Sequence, residues 1–191
     1  KLRSGMVLTR EDTLRAALMS SDNRAAHMLA RTYPGGVQVF VEKMNETARE
    51  LGMHDRHFTD PTGLSNENVS TAHDLAILAA RVHEYPFLAK ASTGAVALIN
   101  TGASKLSLMT TNRLIGDPRW KVGLQKTGYT RAAGRCMVVQ SEFAGHRVVM
   151  VVLDSETNGK RANDMLKMRR WLEDEVRFED QFANVAPFAL M

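Results

Sequence analysis

The fold is decided by residues 120–154, which read WKVGLQKTGYTRAAGRCMVVQSEFAGHRVVMVVLD. Apolar stretches broken by short turns predict three strands there, and they run from Trp120 to Lys126, from Gly134 to Glu142 and from His146 to Asp154. The last two strands are joined by Ala144-Gly145. We therefore expect consecutive antiparallel strands rather than an alternating βαβ sheet.

The residues before this stretch have mostly helical spacing. Thr9 with Asp12 and Thr71 with Asp74 are typical of helix N-termini, and Gly52 follows a clean apolar face as a helix C-terminus does. Tyr85-Pro86 is expected to end the helix that begins at Thr71. From Ser92 the period changes, and the next apolar runs predict a hairpin. Lys160 to Val176 is expected to form the last helix. The class is α+β, with a helical lobe over about 9–91, a sheet and C-terminal helix over about 92–177, and a poorly ordered tail over 178–191.

Composition limits the possible functions. The chain has 191 residues and a net charge of +4, but its Lys and Arg are scattered and form no basic stripe, so we expect no nucleic-acid partner. A mildly basic surface suits an anionic polymer. The longest apolar runs, such as Val148 to Leu153, are far too short to span a membrane. The lone Cys136 lies in an apolar strand and is interpreted as a buried structural thiol.

Two short motifs carry the chemistry. Ser21-Asp22-Asn23 interrupts helical spacing, so it is expected at a junction of two helices that holds its side chains rigidly. Lys126-Thr127-Gly128 is expected at the end of the first of the three strands, where the glycine lets a ligand lie close to the strand. A serine followed three positions later by lysine, which would supply a nucleophile and its base, does not occur in the sequence.

With these motifs placed, the chain resembles the low-molecular-mass penicillin-binding proteins, the D-alanyl-D-alanine carboxypeptidases and endopeptidases of the bacterial cell wall. The resemblance covers roughly residues 5 to 175. Besides the two motifs it rests on Asp60-Pro61-Thr62-Gly63-Leu64-Ser65, Ser70 to Ala76, Lys126 to Thr130 with Ala133-Gly134-Arg135, Val151 to Ser155 and Arg169 to Leu172. The last two of these segments are most similar to the endopeptidase branch.

The resemblance implies a β-lactamase/transpeptidase-like fold and an acyl-enzyme mechanism without a cofactor or metal. Ser21 would relay a proton to the leaving amine, and Asn23 would hold a substrate carbonyl. Lys126 and Thr127 would bind the substrate carboxylate, Gly128 would permit close approach, and the backbone N–H of Tyr129 would be one oxyanion donor. Peptidoglycan peptides and cross-links would be the substrates, β-lactams the inhibitors and the periplasm the location.

The same resemblance places the nucleophilic serine and its lysine base outside this chain. In the family, the nucleophile helix precedes the Ser-x-Asn motif by several tens of residues, so we expect it upstream of Lys1. The chain is then a piece of a larger domain whose N-terminal part is missing.

Other interpretations compete with this one. A serine β-lactamase shares the fold, but class A enzymes carry a Glu-x-x-Leu-Asn loop and this sequence has no Leu-Asn pair. A non-catalytic peptidoglycan-binding or regulatory fragment of the same fold is the main alternative. His54 and His57 near Asp60 form a loose metal-like pattern, which we interpret as loop histidines. The sequence leaves carboxypeptidase and endopeptidase activity undecided.

Overall fold

A computed structural model describes residues 2–102, 104–143 and 145–183 of the chain. In chain order the helices and strands are α1 (Arg10–Met19), α2 (Asn23–Arg31), α3 (Gly36–Glu50), α4 (Ala72–Val82), α5 (Pro86–Thr93), β1 (Val96–Asn100), β2 (Lys105–Met109), β3 (Val122–Thr130), β4 (Gly134–Phe143), β5 (His146–Ser155) and α6 (Asn158–Ala183).

The predicted helix boundaries at Thr9, Thr71 and Gly52 are confirmed. The Thr9 hydroxyl accepts a hydrogen bond from the N–H of Asp12 at 3.0 Å, and the Thr71 hydroxyl accepts one from Asp74 at 3.1 Å. Each contact satisfies an N–H that has no partner inside its helix. Gly52 follows α3 with φ of 81°, the left-handed conformation that favours glycine after a helix.

The sheet has the predicted antiparallel order. β3, β4 and β5 are neighbours in that order, while β1 and β2 form a separate hairpin. One detail of the prediction was wrong, because Lys126-Thr127-Gly128 lies inside β3, which continues to Thr130. The ladder continues through the motif because Gly128 pairs with Cys136 and does not adopt a positive φ. Ala144 of the predicted β4–β5 turn lies outside the described residues.

Two apolar clusters hold the elements together. The larger lies between the sheet and α6, and its buried members include Trp120, Met137, Val139, Phe143, Met150 and Met165. The smaller joins α1 and α2 to the hairpin through Leu2, Ala16, Met19, Ala25, Ile99 and Leu108. Cys136 is half-buried rather than buried, which corrects the sequence-based interpretation.

Two helix predictions also need correction. α4 ends at Val82, and Pro86 begins a new helix, α5, instead of only ending the previous one. Proline suits the first helical position because the N–H it lacks would have no partner there. α6 continues to Ala183, beyond the predicted end at Val176, so 178–183 is helical rather than a tail. The remaining predicted tail, 184–191, lies outside the described residues. Within the described ranges, no helix combines the length and apolar character needed to cross a membrane.

Candidate active site

Ser21 occupies the predicted junction between α1 and α2 in an unusual backbone conformation. Its φ is 53°, in the left-handed region that non-glycine residues rarely adopt. Hydrogen bonds on both sides fix it there: the Ser20 hydroxyl donates to the carbonyl of Met109 at 2.9 Å, and the N–H of Asp22 donates to the carbonyl of Ala16 at 3.0 Å. Asp22 also caps α2 by accepting from the N–H groups of Arg24 and Ala25. The junction therefore holds a serine where glycine would fit more easily.

Lys126 reaches Ser21 from the sheet. Its Nζ donates to the Ser21 hydroxyl at 2.6 Å and to the carbonyl of Thr127 at 2.5 Å. Burial, together with the positive charge of Arg161, lowers the pKa of Lys126 from 10.5 to about 8. The amine therefore changes between its charged and neutral forms close to neutral pH, which suits a group that binds an anion and moves a proton.

The free edge of β3 borders the same site. Gln125 directs its N–H away from β4 to the Ser92 hydroxyl, 3.3 Å away, and the carbonyl of Thr127 faces Lys126. Backbone groups of alternate residues in a strand point to the same side. Tyr129, the next residue in this series, therefore directs its N–H to the same free edge. The Thr127 hydroxyl lies 2.5 Å from the hydroxyl of Thr111, which fixes its position.

A loop built around Asp60 forms the opposite side of the site. The Asp60 carboxylate accepts from the N–H of Thr62 at 2.5 Å, of Gly63 at 3.1 Å and of Ser65 at 2.7 Å, and from the amide of Asn68 at 2.9 Å. Burial opposes its ionisation, but the hydrogen bonds from Thr62, Ser65 and Gly63 outweigh that effect and hold the pKa of Asp60 below 3.8. The carboxylate thus orders the loop that carries Thr62 and Leu64 to the site.

These parts enclose a pocket of about 400 Å³. Its described lining includes three cations, Lys126, Arg135 and Arg161, and no carboxylate. Arg161, in the first turn of α6, is 8% exposed and donates to the carbonyl of Cys136 at 3.2 Å. Burial lowers the pKa of Arg161, and the neighbouring charge of Arg135 acts in the same direction. The pocket is therefore suited to a negatively charged ligand.

The residues predicted from the two motifs come together in this pocket. Its lining includes Ser21, Asn23, Lys126, Thr127, Gly128 and Tyr129. His54 and His57 are exposed instead, and the nearby Asp60 carboxylate is engaged by its own loop. Sequence reasoning did not identify Thr111, Asn158 or Arg161 as members of the site. The only available signal was the predicted start of the last helix directly after the sheet.

The fold is that of the penicillin-binding proteins and DD-transpeptidases. The DD-transpeptidase of Streptomyces K15 superimposes with a TM-score of 0.81 and 27% identity, over 89% of this chain and 70% of that one. Penicillin-binding protein D2 of Listeria monocytogenes, in its cefotaxime-bound form, gives a TM-score of 0.76 and 30% identity, over 85% of this chain and 65% of that one.

Residues 1–157 match the sequence profile described as D-alanyl-D-alanine carboxypeptidase, and the chain belongs to that family. It is 42% identical over 176 residues to the D-alanyl-D-alanine endopeptidase of Pseudomonas aeruginosa and 39% identical over 175 residues to that of Escherichia coli. Each alignment covers 91% of this chain and 56% of the relative. The chain thus spans about half the length of these curated relatives.

Proposed function

We propose that this chain supplies the substrate-binding and proton-transfer half of a serine D-Ala-D-Ala peptidase that acts on peptidoglycan peptides through an acyl-enzyme. The observation that carries the proposal is the 2.6 Å contact between Lys126 Nζ and the Ser21 hydroxyl. It lies in a cationic pocket beside the free edge of β3, so a proton route, an anion site and a hydrogen-bond donor meet at one place.

Each pocket residue has a chemical role in this proposal. The substrate carboxylate binds the Lys126 ammonium and the Thr127 hydroxyl, and Asn23 holds a carbonyl of the acyl part. A serine hydroxyl gives its proton to its lysine base and attacks the carbonyl of the penultimate D-alanine, and the N–H of Tyr129 stabilises the negative oxygen. As the C–N bond breaks, Ser21 gives its proton to the leaving amine and regains one from that lysine. Water then hydrolyses the ester and frees the serine.

The nucleophilic serine and its lysine base belong, in this proposal, to a segment upstream of Lys1. An open groove of about 1240 Å³ joins the pocket, and the two share Asn23, Thr62 and Leu64 in their lining. This volume is close to that of a three-turn α-helix about 10 Å across, roughly 1,300 Å³. A helix lying there would bring a Ser-x-x-Lys motif to the side of Asn23.

β-lactams are the inhibitors expected for such a site. They present a carboxylate and a strained acyl group, which would meet Lys126 and the attacking serine. The cefotaxime-bound relative from Listeria monocytogenes supports this expectation. Because its substrate is cell-wall peptide, we place the protein in the periplasm or another extracytoplasmic compartment.

Penicillin labelling tests the proposal. Residues 1–191 and the full-length protein, including the chain upstream of Lys1, are each incubated with a fluorescent penicillin and examined by intact mass and peptide mapping. We expect a stoichiometric adduct on an upstream serine of the full-length protein and none on residues 1–191. An adduct within residues 1–191 would require another nucleophile, with Cys136 and Ser21 the first to examine. A full-length protein that forms no adduct and hydrolyses no D-Ala-D-Ala peptide would favour the non-catalytic binding alternative.

A further inference from the structure

Arg135 lies over the ring of Tyr129 at the border of the pocket. The centre of its guanidinium is 4.0 Å from the ring centroid, and the two residues are directly opposite each other in β3 and β4. A guanidinium held over a ring by a cation–π contact keeps its N–H donors for other partners, and no described residue accepts a hydrogen bond from the Arg135 side chain. Tyr129 is 58% exposed, so the stacked pair stands at the entrance of the pocket. The stack therefore positions the donors of Arg135 without consuming them.

The charges around Arg135 are not balanced by the protein. Some cations elsewhere pair with carboxylates, as Lys121 does with Glu142 and Arg169 with Glu173. Among the described residues, Arg135 and Arg161 have no carboxylate partner, although both line the pocket. Two neighbouring guanidinium groups repel each other, and an anion bound between or beside them removes that repulsion.

A single substrate carboxylate would leave Arg135 without a negatively charged partner. In the proposed function, one carboxylate binds at Lys126 and Thr127, deep in the pocket and beside Arg161. Arg135 lies farther out, above the exposed ring of Tyr129. It would therefore meet a second carboxylate of the leaving fragment, if that fragment has one. A leaving D-alanine has only one carboxylate, so it has none left to bind Arg135. In a cross-link the leaving amine belongs to a second peptide, which carries further carboxylates of its own.

We propose that Arg135, held by Tyr129, forms a second anion subsite that binds an additional carboxylate of the leaving peptide and favours cross-linked peptides over those that end in free D-alanine. This inference rests on the proposed function and names the substrate class of the same site. It assigns Arg135 a role in specificity, separate from the bond-breaking steps at Ser21 and Lys126.

Three substrates test the subsite with the full-length protein. They are a peptide that ends in D-Ala-D-Ala, a cross-linked peptide dimer, and the same dimer with the distal carboxylates of its leaving peptide converted to amides. We expect the parent to prefer the dimer to the amidated dimer. Arg135→Gln should lower the ratio of kcat/KM for these two dimers about tenfold, mainly through KM, because it removes a charge-assisted contact. Arg135→Lys should restore part of that ratio.

Arg147→Gln is the matched control, because it removes the same charge from an exposed residue near the other end of β4 and β5, where Arg147 lies opposite Glu142 in the strand register. It should leave the ratio as in the parent. Equal losses of Arg135→Gln on all three substrates, or a parent that does not distinguish the two dimers, would overturn the subsite.

Calorimetric binding of the free leaving peptide and its amidated form separates this inference from the proposed function. We expect Arg135→Gln to weaken binding of the first and not of the second. A parent that cleaves none of the substrates refutes the proposed function alone, while equal binding of the two peptides by the parent refutes the subsite.

Discussion

The Nζ atom of Lys126 lies 2.6 Å from the hydroxyl of Ser21, although the two residues are 105 positions apart in the chain. The contact joins a helix junction to the inside of a strand, so it depends on the packing of the whole domain. Ser21 holds its hydroxyl there with φ of 53°, which costs an L-residue about 1 kcal/mol relative to glycine. A serine retained in a glycine conformation points to a functional need for its hydroxyl.

Replacing Ser21 by Gly and by Ala separates the hydroxyl from the backbone strain. Both variants of the full-length protein should be acylated roughly 10²–10⁴-fold more slowly by penicillin, the range for losing a positioned proton-transfer group. Ser21→Gly should be more stable than Ser21→Ala by about 1 kcal/mol, because glycine adopts the left-handed conformation without a Cβ penalty. Stopped-flow acylation and urea unfolding measure the two effects. Acylation within a few-fold of the parent would exclude the relay role of Ser21.

The pKa of Lys126 predicts how activity depends on pH. Its value of about 8, below the ordinary 10.5, means that the free protein loses this ammonium as the pH rises through 8. Because the ammonium binds the substrate carboxylate, kcat/KM should fall above about pH 8, approaching tenfold per pH unit. A bound carboxylate favours the charged form and raises the pKa, so kcat should begin to fall at a higher pH than kcat/KM.

Two controls assign this alkaline limb to Lys126. In Lys126→Arg the cation persists to far higher pH, so the limb should move beyond about pH 10. For a substrate with a neutral amide in place of the carboxylate, kcat/KM should fall less steeply above about pH 8. Lys126→Ala should also reduce kcat/KM far less for this amide substrate than for the carboxylate substrate. Equal losses on both substrates would show that Lys126 acts mainly on Ser21 and the proton route.

Local signals explain what could be predicted from the sequence. Helix caps such as Thr9 and Thr71 and the strand around Lys126 are encoded by neighbouring residues, so their positions were recognisable. The family motifs also allowed Ser21 and Lys126 to be assigned to one site. Pro86 was misinterpreted because proline both ends a preceding helix and suits the first position of a new one.

The rest of the site depends on contacts without a sequence pattern. Thr111 fixes Thr127 from 16 positions away, and Arg161 enters the pocket only because α6 begins at the end of the sheet. Cys136 was predicted to be buried from its apolar neighbours. Its strand partner is Gly128, which has no side chain to cover it, so the thiol is half-buried.

Asp60 should stabilise the loop that carries Thr62 and Leu64. Asp60→Asn replaces an acceptor oxygen with an NH2 donor facing backbone N–H groups, and should cost about 1–3 kcal/mol of unfolding free energy at pH 7. The folded pKa of Asp60 lies below 3.8, so its stabilisation is present above that pH and is lost as the pH falls through the folded pKa. In urea unfolding from pH 7 to 3, the difference in unfolding free energy between parent and variant should therefore become smaller toward pH 3. Glu67→Gln, an exposed change in the same loop, is the control, and a difference independent of pH would contradict the assignment.

Two glycines of the β3–β4 hairpin should respond in opposite ways to alanine. A Cβ on Gly134, at a φ of 63°, would collide with Oδ1 and the backbone of Asp154, so Gly134→Ala should destabilise the domain by more than about 1 kcal/mol. A Cβ on Gly128 would meet only the Cys136 Cβ at 3.6 Å, an ordinary contact, so Gly128→Ala should change stability by less than about 0.5 kcal/mol.

Since neither packing nor backbone conformation requires glycine at 128, we attribute it to the space a bound acyl group needs along β3. Gly128→Ala should then slow acylation at least about tenfold, because a displaced acyl group loses its alignment with the attacking hydroxyl. Urea unfolding and penicillin acylation of both full-length variants test this contrast, and a fully active Gly128→Ala would show that the acyl group does not lie against this strand.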